Sequence, residues 1–231
     1  MMTDPVDPGT GVFVAGTGTG VGKTVVTAGL TGWLRSEGVA AHAIKPAQTG
    51  APEDDDAGTV ADVCEEPTAS TCLRRLEPPL APRVAASIAD ESLSYDDIVA
   101  GCRSLAADET VTIVEGIGGV RVPLADGYEV LDLAADLGFP AIVVARSGLG
   151  TLNHTALTVA ALENRGLSVA GIVLNEYEGE TLAERTNPTE LERMTATRVA
   201  TVPPLEVDDG GAVVDGVRQN VPSSMLPVAL E

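Results

Sequence analysis

Lysine is nearly missing from this chain. Of its 14 basic residues only Lys23 and Lys45 are lysines, set against 34 carboxylates. The formal net charge of -20 repels nucleic-acid backbones and anionic membrane surfaces, so neither is expected as a partner. Cysteine is scarce too. Cys64, Cys72 and Cys102 are odd in number and form no C-x-x-C pair, which argues against a zinc site or a disulfide framework and fits reduced thiols. No apolar run approaches the ~18 residues of a membrane span. The segment from Met1 to Gly9 has no basic stretch followed by an apolar one, so no secretion signal is expected and cytoplasmic residence is. A chain of 231 residues that is 44% hydrophobic suits one globular domain over residues 1–231. The acidic excess fits a solvated surface adapted to high salt, with an acidic protein of ordinary surroundings as the alternative.

What is present is organised around residues 12–24, Val-Phe-Val-Ala-Gly-Thr-Gly-Thr-Gly-Val-Gly-Lys-Thr. An apolar run breaks into a glycine-rich loop and closes on Lys23 and Thr24, which reads as a strand, a phosphate loop and a helix start. Glycines let successive backbone N–H groups converge on an anion, and the helix N-terminus adds partial positive charge. The lysine ammonium reaches the outer phosphates while the threonine hydroxyl holds Mg²⁺. The spacing departs from G-x-x-x-x-G-K-[ST], because Thr17 stands five residues before Gly22 and the usable glycine, Gly16, stands six before it. The context carries the assignment instead, since Val26, Leu30, Trp33 and Leu34 recur at helical spacing after the loop. The alternative is a flexible Gly/Thr turn. A chain that keeps lysine only in the phosphate loop and at the next strand end uses the compact ammonium for chemistry a guanidinium would not perform.

The rest alternates strand and helix, the pattern of a three-layer α/β/α fold with a mainly parallel central sheet. Residues 40–44 read as a strand that runs into Lys45-Pro-Ala-Gln-Thr-Gly50, which places Lys45 at the sheet edge where ligands gather. Residues 51–92 read as an elaborated crossover with short helices near 59–64 and 84–89. Its acidic run is a solvated loop at Asp54 and Asp55, whereas Asp56, at a possible helix start, is a candidate Mg²⁺ ligand. A surface helix over 94–107 precedes a strand over 110–114. That strand ends in Glu115-Gly-Ile-Gly-Gly119, whose carboxylate is a second candidate for the metal or its waters. Residues 122–126 read as loop, 129–137 as helix and 141–145 as strand. Leu152, Ala156, Val159 and Ala160 mark an amphipathic helix over 151–165, and a strand over 169–174 ends at Asn175. His154 reads as a packing or hydrogen-bonding residue, because nothing supplies an orienting carboxylate for it. Residues 187–194 read as helix and 199–202 as strand, Pro203-Pro204 reads as rigid loop, and the tail from Glu206 carries no firm assignment.

Together these motifs resemble the ATP-dependent dethiobiotin synthetase family, a P-loop NTPase fold, along nearly the whole chain. The carriers are residues 16–24, Lys45-Pro-Ala-Gln-Thr-Gly50, Asp56-Ala57, Ala81-Pro82, Glu115-Gly-Ile-Gly-Gly119, Val122-Pro-Leu124, Leu149-Gly-Thr-Leu-Asn-His154 and Asn175. The resemblance implies that 7,8-diaminopelargonate, CO₂ and ATP become dethiobiotin, ADP and phosphate. It further implies a phosphate and nucleotide site of Gly20, Val21, Gly22, Lys23, Thr24, Val25, Gly118 and Asn175, the last reading the adenine edge. Lys23 and Lys45 would stabilise the carbamate and the transferring phosphoryl, and Thr24, Asp56 and Glu115 would hold Mg²⁺. Thr19 and Thr49 would line the diamine end, and Thr151, Leu152 and Asn153 of a second subunit would hold the substrate carboxylate across a homodimer interface.

Two departures accompany the match: Gly18 stands where many members carry Asp, and Arg83 where a His is often seen. One rival is a nucleotide-switched partition-type ATPase, whose signature lysine would fall at Gly18 and whose DNA-binding surface the charge opposes. A related ATP-dependent amine ligase is the nearer alternative, because fold and loop alone do not fix the amine. An amidotransferase would need a glutaminase domain for which 231 residues leave no room.

Overall fold

The computed structural model describes residues 10–106 and 111–230. The reading of residues 1–9, the expected helix end at Ala107 and the expected strand start at Thr110 lie outside them. In chain order the elements are β1 (Gly11–Gly16), α1 (Lys23–Ser36), β2 (Ala41–Lys45), β3 (Gln48–Thr49), α2 (Asp56–Val63), β4 (Ser70–Cys72) and β5 (Arg75–Leu76). Then come α3 (Pro82–Ile88), α4 (Tyr95–Ala106), β6 (Val111–Glu115), β7 (Pro123–Ala125), β8 (Tyr128–Glu129), α5 (Val130–Leu137) and β9 (Ala141–Arg146). The chain continues through α6 (Thr151–Asn164), β10 (Val169–Asn175), α7 (Leu182–Thr195), β11 (Val199–Thr201) and α8 (Gly210–Asn220).

Seven strands form one sheet in the order β11-β10-β9-β1-β6-β2-β4, and every pairing in it is parallel. Parallel strands are covered on both faces, so the central β1 and β9 read as apolar runs instead of alternating with polar residues. The period of two then splits each strand between two cores. In β1, Phe13 and Ala15 pack with α4, α5, α6 and α7 residues such as Ile98, Leu133 and Leu162. Val12 and Val14 pack on the other face with Leu30, Trp33 and Leu34 of α1 and Val217 of α8. The expected three-layer α/β/α arrangement is thus the observed one. β1, β2, β6, β9 and β10 all point their C-terminal ends to one edge, which brings Gly16, Lys45, Glu115, Arg146 and Asn175 together.

Several expectations need correcting. Residues 122–126 are not all loop: β7 and β8 form an antiparallel hairpin, turned at Asp126-Gly127 with Gly127 at φ 77°. The crossover holds β4, an edge strand beside β2. Its Ser70-Thr71-Cys72 sequence has no apolar signature, and His42 binds it laterally, Nδ1 lying 3.0 Å from Thr68 O and Nε2 3.0 Å from Thr71 Oγ1. The helix expected over 187–194 begins five residues earlier, at Leu182. Thr181 and Glu184 form a reciprocal capping box there, and Pro188 sits inside the helix. The tail contains α8, capped by Asp209 and seated closely on α1. A Cβ at Gly29 would fall 2.3 Å from Val217 Cγ2, and one at Gly32 2.4 Å from Val214 Cγ2. In α6 the buried face is Thr151, Thr155, Thr158, Val159 and Leu162. Ala160 and Leu157 face outward instead, because Thr158 satisfies its hydroxyl on His154 O and can enter the interior.

The charge balance yields an expectation for solution behaviour. The Debye length falls from about 30 Å at ~0.01 M salt to about 3 Å at ~1 M, so self-repulsion of the acidic surface is strongest in dilute buffer. Thermal unfolding followed in increasing KCl should show a rising melting temperature. A flat or falling one would remove the salt-adaptation reading.

Candidate active site

The phosphate loop runs from Gly16 to Gly22. Gly22 caps α1 at φ 89°, and a Cβ there would lie 1.9 Å from Asn175 Nδ2, so only glycine lets the loop meet the β10 end. Lys23 opens α1 and folds back across Gly16, donating from Nζ to Gly18 O at 3.0 Å. Its side chain is 7% exposed. Burial lowers its pKa to about 8, the Lys45 ammonium pushes the same way, and Glu115 and Asp56 oppose. Gly18 has open space where a side chain would project, so the missing Asp leaves room and no clash.

Below the loop, four side chains from four elements form one cluster. Thr24 Oγ1 lies 2.7 Å from Asp56 Oδ1 and 3.0 Å from Glu115 Oε1. Lys45 Nζ bridges the two carboxylates, contacting Asp56 Oδ2 and lying 2.7 Å from Glu115 Oε1. Burial works against the Lys45 charge, yet Glu115 and then Asp56 outweigh it and raise the pKa. For Asp56, burial favours the neutral acid, but Lys45 first and Thr24 after it hold the carboxyl below its ordinary value. Lys45 therefore contributes stability below its unfolded-state pKa and loses it as pH rises through the folded value. Asp56 contributes above its unfolded-state pKa and loses it as pH falls.

Asp56 is placed by its neighbours. Asp55 caps α2 by accepting from Gly58 N at 3.1 Å, and Arg75 anchors Asp55 at 2.9 Å. Gln48, 5% exposed, accepts from Asp56 N at 3.2 Å.

Lys23, Thr24, Lys45, Gln48, Asp56 and Glu115 line one cavity of about 1100 Å³. Thr19, Gly20, Gly22, Lys23, Thr24, Val25, Lys45, Thr49, Asp56, Glu115, Gly118 and Asn175, all expected site residues, are on its wall. Val21 is buried beside it and does not reach it. Thr151, Leu152 and Asn153 of the same chain are also absent from the wall. The Thr151 hydroxyl is paired with Thr155 Oγ1 at 3.1 Å, and Thr151 N donates to Gly148 O. His154 is exposed and outside the cavity. Arg83 pairs with Asp126 at 3.6 Å.

Pattern reading missed part of the wall. Pro79, Leu80, Ala81, Ile117 and Val122 give it apolar lining, and Glu176, Glu178, Pro204, Leu205 and Glu206 line it along with Asn175. Arg146 was missed as well, although an arginine ending the apolar run 141–145 was the available signal. It grips the loop from outside, Nε and Nη2 donating to Gly20 O at 3.1 and 2.9 Å. Asn175 is 3% exposed, and its Oδ1 has no partner among the described residues. An unpaired buried acceptor on a cavity wall suits a ligand N–H donor.

The low pKa of Lys23 has a measurable consequence. The native chain holds less proton than the unfolded one between pH 8 and the ordinary lysine value, so stability rises with pH across that window. A phosphate arriving beside Lys23 restores its proton. Metal-free ADP binding at pH 8 should then take up about half a proton, read as a dependence of binding enthalpy on buffer ionisation heat. Lys23→Arg, which does not titrate, should abolish that dependence. Equal buffer dependence in both proteins would refute the buried ammonium.

A parallel sheet whose first strand feeds a phosphate loop, with lysine, threonine and two carboxylates at the adjoining strand and helix ends, defines a P-loop NTPase. The AAA domain family profile matches residues 10–209. In fold the chain resembles a ParA family ATPase from Chlorobium tepidum, with a TM-score of 0.60, 14% identity and 96% of each chain covered. Sequence narrows this. The chain is 56% identical over 218 residues to the ATP-dependent dethiobiotin synthetase BioD of Haloferax mediterranei, covering 94% of each chain. It is 45% identical over 203 residues to that of Anaeromyxobacter sp. (strain K), covering 86% of this chain and 91% of the relative. The chain belongs to the ATP-dependent dethiobiotin synthetase family.

Proposed function

We propose that this enzyme joins CO₂ to 7,8-diaminopelargonate and closes the cyclic urea of dethiobiotin at the expense of ATP. The observation that carries the reading is the Lys45–Asp56–Glu115–Thr24 cluster lying at the foot of the phosphate loop, in one cavity with an apolar flank. One amine of the diamine adds to CO₂ and loses a proton, giving a carbamate. The carbamate oxygen takes the γ-phosphoryl of ATP, so a poor leaving group becomes phosphate. The second amine then attacks the carbonyl carbon, closes the ring and expels phosphate.

Each group has a role in that sequence. The ammonium groups of Lys23 and Lys45 face anionic oxygens in the carbamate and in the transferring phosphoryl, and preorganised charge is the main catalytic resource for such a transfer. Thr19 and Thr49 bind the diamine end, and the Pro79–Ala81, Ile117 and Val122 wall shelters its hydrocarbon chain. Gly20, Gly22, Val25 and Gly118 shape the phosphate cradle, with Val21 buried beside it. The Asn175 amide accepts from the adenine amino group. Thr24, Asp56 and Glu115 offer three hard oxygens, and among the described residues no cluster of three or more His, Cys, Asp or Glu makes a closed cage. That donor set fits Mg²⁺, which keeps waters and shares substrate phosphates. When bound there, the ion would neutralise charge on the phosphates.

A homodimer belongs to this reading. Leu149 is 98% exposed beside the α6 start, and Leu157 on the outer face of α6 and Leu182 at the start of α7 are exposed as well. A second copy covering that face would bring the Thr151–Asn153 helix start toward the substrate carboxylate, which a helix N-terminus favours. Cytoplasmic residence belongs to this reading and is supported by three free thiols; among the described residues no helix is long and apolar enough to cross a membrane.

Incubation with ATP, Mg²⁺, bicarbonate and 7,8-diaminopelargonate should yield a product heavier than the diamine by one urea carbonyl less two hydrogens. Turnover with another diamine and none with this one would favour the related amine ligase. Glu115→Gln and Asp56→Asn should each raise the Mg²⁺ concentration for half-maximal rate by about tenfold or more. Metal titrations that overlay the unmutated curve would remove both carboxylates from the metal site.

A further inference from the structure

The corner that presents Asn175 is held in an unfavourable backbone conformation by residues outside the cavity. Glu176, the next residue, has φ 53°, in the left-handed region that side-chain-bearing residues avoid. Two strands fix its flanks, with Tyr177 N donating to Val202 O and Val202 N to Leu174 O, each at 2.9 Å. From behind, Ser147 places its hydroxyl 3.1 Å from Glu176 O and 2.9 Å from Glu184 Oε1, sharing one proton between the two acceptors.

Ser147 and Glu184 are both buried, at 4% and 8% exposure. Among the described residues Glu184 has no cation partner. It accepts instead from Thr181 N at 3.0 Å and Thr181 Oγ1 at 3.1 Å, and the Thr181 backbone contact foremost, followed by the Ser147 hydroxyl, holds its carboxyl below the ordinary range. Asn187, one turn along α7, donates to Ser147 O at 2.8 Å and Gly148 O at 3.2 Å. The start of α7 is thereby knotted to the ends of β9 and β10. The residue before Ser147 is Arg146, whose fork grips Gly20 of the phosphate loop. One rigid junction fixes the separation between the phosphate cradle and Asn175. A buried polar network of this kind specifies one orientation where an apolar contact would permit several.

We propose that Ser147 and Glu184 are positioning residues for the nucleobase. By holding the Asn175–Glu176 corner they aim the unpaired Asn175 Oδ1 at a base bearing an amino donor, and so set the preference for adenine over guanine, which presents an oxo acceptor at the same position. The inference rests on the reading that the Asn175 end of the cavity takes the base.

The test compares ATP and GTP in steady-state turnover for Ser147→Ala, Glu184→Gln and Asn175→Ala, with a thermal melt of each variant. Ser147→Ala should raise the KM for ATP about tenfold, the size expected for one hydrogen bond loosened in a buried site. Turnover at saturating ATP should stay within about twofold, and the ATP-to-GTP preference should shrink in step with KM. Glu184→Gln should act in the same direction. If it does not fold, Ser147→Ala decides alone, since it removes a single oxygen. A folded Ser147→Ala protein with unchanged KM and unchanged preference overturns the proposal, and so does an equal loss of turnover with both nucleotides. Asn175→Ala separates the two layers. If it leaves the preference untouched, the base does not bind there. If it abolishes the preference while Ser147→Ala keeps it, only the positioning role fails.

Discussion

Lys45→Gln should lower turnover by at least about 100-fold while leaving nucleotide affinity close to its original value. Lys45 stands at the end of β2, on a different element from the phosphate loop, and its ammonium is 5% exposed between Asp56 and Glu115. Glutamine keeps hydrogen-bonding capacity and loses the charge, so the carbamate and the transferring phosphoryl lose a fixed cation. The same substitution has a structural signature. Two carboxylates would lose the cation that bridges them, with only Lys23, outside salt-bridge distance, left to offset their charge, and uncompensating a buried pair costs on the order of 3 kcal/mol. Asp56, with a 28% exposed side chain, moderates that cost through solvent. Metal-free Lys45→Gln should therefore melt well below the unmutated protein, and Mg²⁺ should recover part of the difference. Unchanged turnover would remove Lys45 from the chemistry. A melting temperature indifferent to both mutation and metal would show that the cluster is not the electrostatic unit described here.

Lys23→Gln should act first on binding. Its Nζ sits inside the loop, 3.0 Å from Gly18 O, where the outer phosphates arrive. A hydrogen bond to a charged group contributes about 1.5–3 kcal/mol, so nucleotide affinity should fall between about tenfold and about 150-fold, with a further loss in turnover. Equilibrium binding of ADP separates the two lysines: Lys23→Gln should bind weakly and Lys45→Gln normally. Equal affinities in the two variants would contradict the assignment of Lys23 to the phosphates and of Lys45 to the reacting centre.

The sheet and the lysine cluster were legible because both write themselves into local sequence. Residues 12–15 and 141–145 are continuous apolar runs, and 111–114 is apolar but for the buried Thr112, because their strands are buried on two faces, and each run ends where a functional group follows. β4 was not legible, since Ser70, Thr71 and Cys72 join the sheet through backbone pairing and a histidine clamp and not through apolar side chains. α8 was hidden by Gly210 and Gly211 at its start and by an apolar face built chiefly on Val213 and Val217. The burial of α6 was misread because Thr155 and Thr158 take interior positions that an apolar pattern assigns to Ala156 and Ala160. Gln48, Arg146 and Ser147 act through partners from 8 to 126 residues away, a separation that no local pattern encodes, and Glu184 joins its local capping partner Thr181 to Ser147, 37 residues off.

The step on which the account turns is transfer of the γ-phosphoryl to a carbamate oxygen, and isotopic oxygen follows that step directly. Dry C¹⁸O₂ would be mixed rapidly with the enzyme, MgATP and 7,8-diaminopelargonate, and the reaction stopped before the label exchanges with water. Of the two carbamate oxygens, one should leave in the released phosphate and the other remain in the urea carbonyl. One ¹⁸O per phosphate, matched by one per dethiobiotin, is the expected result. Labelled dethiobiotin accompanied by unlabelled phosphate would contradict it, because the ring would then have closed without a phosphorylated carbamate.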